Sequence, residues 1–117
     1  MTWTEFELET REDPVFYETF DLNGNGKMLA NFSVLFCGWS LRNLSASTLA
    51  TLDIYDGTDA SGTSIFPVTL QSNESSREWF YPGGVLFKNG IYVNVTAQEV
   101  KGAVLFRRHP GQTRGYP

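Results

Sequence analysis

The segment "IYVNVTA" (residues 91–97) constrains the fold more than any other stretch of this chain. Ile91, Val93, Val95 and Ala97 point one way and Tyr92, Asn94 and Thr96 the other, the period of a β-strand with one face in a core. The same period recurs along the sequence. "NFSVLF" sets Phe32, Val34 and Phe36 against Ser33 and Leu35, "FPVTL" groups Phe66, Val68 and Leu70, "AVLFR" groups Val104 and Phe106, and "TLATLDIY" ends in a β-favouring triplet. Clusters of Gly, Asn, Asp, Ser and Pro separate these runs: "NGNG", "DGTDASGT", "SNESS", "PGG", "KNG" and "QEVKG". Such residues supply the backbone angles of turns. Only "NLSASTLATL" offers a turn of helix, and its Ser and Thr content argues against more. About eight short strands with turns between them are the signature of an all-β fold. The expectation is an antiparallel β-sandwich, jelly-roll-like. The 117 residues suit a single domain, 1–117, with an extended N-terminal arm over residues 1–13 and a flexible C-terminal tail over residues 108–117.

One stretch suggests a different chemistry. In "DLNGNGKMLANF", Asp21, Asn23, Asn25 and Gly26 stand at positions 1, 3, 5 and 6 of a calcium-binding EF-hand loop. Position 12, which should be a bidentate acid, is Phe32, and the flanks "VFYETF" and "NFSVLF" are aromatic and β-branched rather than helical. The stretch therefore reads as the turn of a β-hairpin joining residues 15–22 to 27–36.

The residues that could carry catalysis are few. The single histidine, His109, sits in "RRHPG" at the start of the tail, where no rigid scaffold is expected. The single cysteine, Cys37 in "LFCGW", reads as a small buried hydrophobe, and no disulfide or zinc cluster is available. Asp53, Asp56 and Asp59 cluster at a strand end, as paired glycosidase carboxylates do, but "YDGTDASG" is also what a strand-ending turn requires. A hydrolase is the least favoured reading, with the same loop as a weaker calcium candidate. Nucleotide-binding loops are absent. No catalytic residue, metal or cofactor is expected. Four Asn-X-Ser/Thr sequons, at Asn31, Asn43, Asn73 and Asn94, are read as coincidence.

Binding surfaces are the stronger prospect. Aromatic residues make up 15 % of the chain against 19 % charged, a balance suited to burying surface on partners. "EWFYPGG" places three aromatics in a row. If Trp79 and Tyr81 face outward, Phe80 faces in, and the outward pair can anchor an interface or stack on a sugar. The alternative is a strand covered on both sides. Charge is polarised along the chain: Glu5, Glu7 and Glu9 alternate with Phe6 and Leu8 near the start, with Trp3 beside them, and Arg107, Arg108 and Arg114 lie near the end. These two ends are read as complementary docking elements. A net charge of −4 gives no pull toward nucleic acid, and no apolar run reaches membrane-spanning length.

Three motifs support a resemblance. "LDIYDGTDASGTSI", then "EWFYPGGVLFKNGIYVNVT", then "GAVLFR" resemble small virion proteins of tailed bacteriophages, in which a strand ends in a YDG-type turn and a "GI-Y-V-N-V" strand leads into a closing β-hairpin. The likeness spans about residues 52–107 and consists of turn and strand patterns, so no functional residue carries over. It implies a non-enzymatic structural role as a head-decoration or minor capsid-associated protein. The partner would be a major capsid protein or another virion component, and the chain a homo-oligomer, a trimer among the forms allowed. It would be made in a host cytoplasm, since Met1 opens no basic-then-apolar segment, and reside in the virion. The alternative is a carbohydrate- or receptor-binding β-sandwich module using exposed aromatics.

Overall fold

The computed structural model describes residues 14–80 and 83–109. Among them are nine strands and no helix: β1 Phe16–Asn23, β2 Gly26–Ala30, β3 Val34–Asn43, β4 Ala50–Asp56, β5 Ser64–Leu70, β6 Ser75–Trp79, β7 Val85–Phe87, β8 Ile91–Ala97 and β9 Glu99–Arg108. They form two antiparallel sheets. One runs β1-β9-β3-β6, with β7 also pairing with β3, and the other runs β2-β8-β4-β5. The pairing is nested: β1 with β9, β2 with β8, β3 with β6 and β7, β4 with β5. A long antiparallel ribbon, folded back at residues 57–63, is rolled so that β9 also meets β3 and β8 also meets β4.

The alternation read from the sequence places the core. Ile91, Val93 and Val95 of β8 and Val104 and Phe106 of β9 are buried, while Phe66 and Val68 of β5 pack against the same cluster; Ala50, Leu52 and Ile54 of β4, for which the sequence gives no inward face beforehand, are buried with them. Aromatic rings from both sheets meet at its centre. Phe36 stacks on Phe87 at 4.8 Å and on Phe66 at 5.6 Å, and Phe66 stacks on Phe80 at 5.4 Å. Each fully buried side chain of this size stabilises the fold by roughly 1.5–3 kcal/mol relative to exposure.

A β-bulge in β3 decides how this core is filled. Leu105 pairs with Gly38 and Phe106 with Phe36, so Cys37 is the extra residue with no partner on β9. The insertion reverses the inward parity. Val34 and Phe36 face the core before it, and Trp39 and Leu41 after it. Trp39 thus joins the aromatic cluster, 5.4 Å from Phe66, and its indole N–H donates to Ser76 Oγ at 3.0 Å. Gly38 at the bulge has φ +153°, and a Cβ there would collide with the Glu78 carbonyl oxygen on β6. At the far end of β3, Asn43 is fully buried. Its Nδ2 donates to the carbonyls of Thr48, Leu70 and Gln71, and its Oδ1 accepts from Ser45 N–H. One amide thereby ties the β3–β4 link to the end of β5.

Three expectations are corrected. The Asn23–Gly26 turn does not close a hairpin: β1 and β2 lie in different sheets, and residues 27–36 are not one strand but β2, a break at 31–33, and β3. Gly24, with φ +68°, and the Asn25 side chain, which accepts from Asn23 N–H, turn the chain from one sheet into the other. Likewise β8 does not close a hairpin with β9, because Gln98, at φ +67°, sends the chain across to the opposite sheet. Finally, the tail does not begin at residue 107 or 108: β9 runs through Arg108, with Arg107 opposite Leu35 and Arg108 opposite Val34.

Candidate protein-docking site

Strand β1 begins with two large aromatic side chains, Phe16 and Tyr17, preceded by Val15, and β9 ends beside it with Phe106 opposite Phe16. The 31–33 link between β2 and β3 brings Phe32 to the same place. Phe106 is buried, with Phe16 6.0 Å away and Phe32 6.4 Å away, edge-on. The Arg108 guanidinium lies 5.7 Å from the centre of the Phe16 ring, within cation–π range. Phe16, Tyr17, Glu18, Phe32, Phe106 and Arg108 line a cavity of about 220 Å³. Its walls stay open to solvent: Tyr17 is 68 % exposed, Phe32 39 % and Phe16 37 %. Exposed Phe and Tyr flanked by Arg are what protein interfaces concentrate. Covering the exposed parts of Tyr17 and Phe32 would gain on the order of 1–2 kcal/mol each.

Of the interface residues expected from sequence, Arg108 alone lines this cavity. Trp79 ends β6 opposite Gly38, on the other flank of β3, and is 48 % exposed. Phe80 turns inward from it and packs between Phe66 and Trp39, as the alternation required. Arg107 is corrected outright. It is buried rather than presented to a partner, and its Nη2 donates to the Gly83 carbonyl at 3.4 Å. Beside it, burial pushes the Cys37 thiol pKa up, while the Arg107 charge pulls the other way. Cys37 is therefore the small buried residue expected, with Sγ directed to the Leu35 carbonyl. Trp3, Glu5, Glu7, Glu9, Tyr81 and Arg114 lie outside the described residues.

The aspartate cluster is built into local structure. Asp53 Oδ1 accepts from Ser64 Oγ at 2.8 Å. Asp56 accepts from the N–H groups of Lys88 and Asn89, fixing the β7–β8 turn. Asp59 accepts from both N–H and Oγ of Ser61, and these bonds hold its carboxyl below the usual carboxylate range. Three carboxylates thus hold three separate turn or strand contacts. Among the described residues no three His, Cys, Asp or Glu side chains are grouped closely enough to hold a metal ion.

Sequence reasoning missed Phe16, Tyr17, Phe32 and Phe106 as a group. The signal was present in "VFYETF", which read only as the flank of a turn; nothing local joins it to Phe32 or to a strand that begins at residue 99. Comparisons with protein-family models, with curated proteins and with solved structures returned no match.

Proposed function

We propose that this chain is a non-enzymatic structural protein of a phage particle, a jelly-roll β-sandwich that docks on a capsid protein or another virion component. The nested pairing supports the fold reading, since strand orders β1-β9-β3-β6 and β2-β8-β4-β5 are those produced by rolling an antiparallel ribbon into two Greek keys. Jelly rolls of this kind serve in viral capsids and in lectins. The observation that carries the docking is the open aromatic cavity of Phe16, Tyr17, Phe32 and Arg108. The motif resemblance supplies the virion as the setting. In a lattice, repetition lets a small cavity of this kind hold firmly, because many weak contacts act together.

Light scattering coupled to size-exclusion chromatography, on the protein alone and mixed with purified tailed-phage capsids, tests the reading. Wild type is expected to self-associate or to co-elute with capsids. A Tyr17→Ser, Phe32→Ser double variant should bind at least about tenfold more weakly with an unchanged circular dichroism spectrum. A wild-type monomer that ignores every capsid, or a double variant that binds as well as wild type, would sink the proposal.

A further inference from the structure

The outer face of the β2-β8-β4-β5 sheet carries a second surface with different chemistry. Cross-strand pairing sets Met28 opposite Tyr92 and Tyr92 opposite Tyr55 in one row, and Gly26 opposite Asn94 and Asn94 opposite Asp53 in the next. Their strand neighbours Leu52, Ile54, Val93 and Val95 are buried, so these two rows point away from the core. The Tyr55 and Tyr92 rings are 6.2 Å apart at 62°. A Cβ on Gly26 would collide with the Tyr92 hydroxyl and lie 2.9 Å from Asn94 Oδ1. The Tyr92 side chain therefore lies down along the sheet, over the space the glycine leaves, instead of standing out from it. Asp53 holds Ser64 Oγ with Oδ1. Its Oδ2, the Asn94 amide and both tyrosine hydroxyls take no hydrogen bond among the described residues.

We propose that this face binds a neutral saccharide. A pyranose has an apolar C–H face and a rim of hydroxyls, and the two rows offer both complements. Tyr92 and Tyr55 supply aromatic surface held at low conformational cost, since each has few rotatable bonds. Asp53 Oδ2 accepts from sugar hydroxyls, and the Asn94 amide both donates and accepts. The charge of the face selects the class. Neither row contains Lys or Arg, so the Asp53 carboxylate disfavours uronic and sialic acids. The inference goes beyond the docking reading and uses no residue of the Phe16–Tyr17–Phe32 cavity.

The test is nuclear magnetic resonance titration of the full chain with glucose, galactose, mannose, N-acetylglucosamine and their disaccharides, up to about 10 mM. The expected result is saturable shifts confined to residues 26–28, 53–55 and 92–94, including the Asn94 side-chain amide. Tyr92→Ala and Asp53→Ala should each weaken binding at least about tenfold, whereas Tyr92→Phe, which keeps the ring over Gly26, should lose less. Tyr17→Ser, Phe32→Ser should bind sugar as wild type does, which separates failure here from failure of the docking site. No shift with any sugar, shifts centred on Trp79, or equal binding of glucuronic and sialic acids would each overturn the proposal. Self-association through this face would also overturn it.

Discussion

At the scale of single residues, polar side chains hold together what the apolar ones only collapse. Asn43 is the clearest case. In the sequence it is one of four sequon asparagines; in the fold its amide is sealed inside and satisfies carbonyls from two separate segments. Asn43→Ala removes the side-chain donor that the Thr48, Leu70 and Gln71 carbonyls share, although Gln71 keeps the Glu74 N–H, and should cost about 2–3 kcal/mol. Asn43→Asp should cost more, because it sets a carboxylate against carbonyl oxygens. Urea unfolding should show lower midpoints at an unchanged m-value; a midpoint within error of wild type for Asn43→Ala would refute the role. Arg107 teaches the converse. Sequence places it in a run of basic residues near the terminus, and nothing in that run shows that the strand continues and that Gly83 folds over it. Exposure depends on what the chain does elsewhere, and composition carries no such information.

At the scale of elements, a strand's inward face can be read wherever its period is unbroken. Ile91, Val93 and Val95 could be assigned from spacing alone, as could Phe66, Val68 and Leu70. Strand β3 could not, because the bulge at Cys37 reverses the parity between Phe36 and Trp39, and a bulge is a property of two strands together. Gly38 makes that bulge possible beside β6. Gly38→Ala combines a strained φ with a collision against Glu78, so it should destabilise by about 2–4 kcal/mol. The loss should centre on β3 and β6, appearing in hydrogen exchange as faster exchange of Trp39 and Arg77 amides before any change in β8. Uniform acceleration across both sheets would instead mean that the bulge unfolds only with the whole. The turn at Asn23–Gly26 was equally legible as a turn and equally illegible as a corner. Asn and Gly fix the local reversal, but whether the two strands pair is decided by β8 and β9, some seventy residues away.

At the scale of the whole molecule, the sequence revealed the all-β class and left the pairing scheme open, because strand count does not determine strand order. The nested arrangement gives the chain ends unequal weight. Removing residues 110–117 leaves β9 whole. Removing residues 107–117 takes away the pairs with Leu35 and Val34, the cation over Phe16 and the bond to Gly83. That shorter chain should melt at least about 5 °C lower. Equal melting of the two truncations, followed by circular dichroism, would show that β9 ends before Arg107 in solution.

Phe16 at the start of β1 sits opposite Phe106 near the end of β9. These two strand ends are therefore neighbours at one pole of the fold. A pull applied between them would peel β1 from β9 one hydrogen bond at a time, instead of shearing all eight register positions at once. The fold is mechanically soft along that line. A load carried between these two strand ends would open β1 from β9 before it disturbed the β2-β8-β4-β5 sheet.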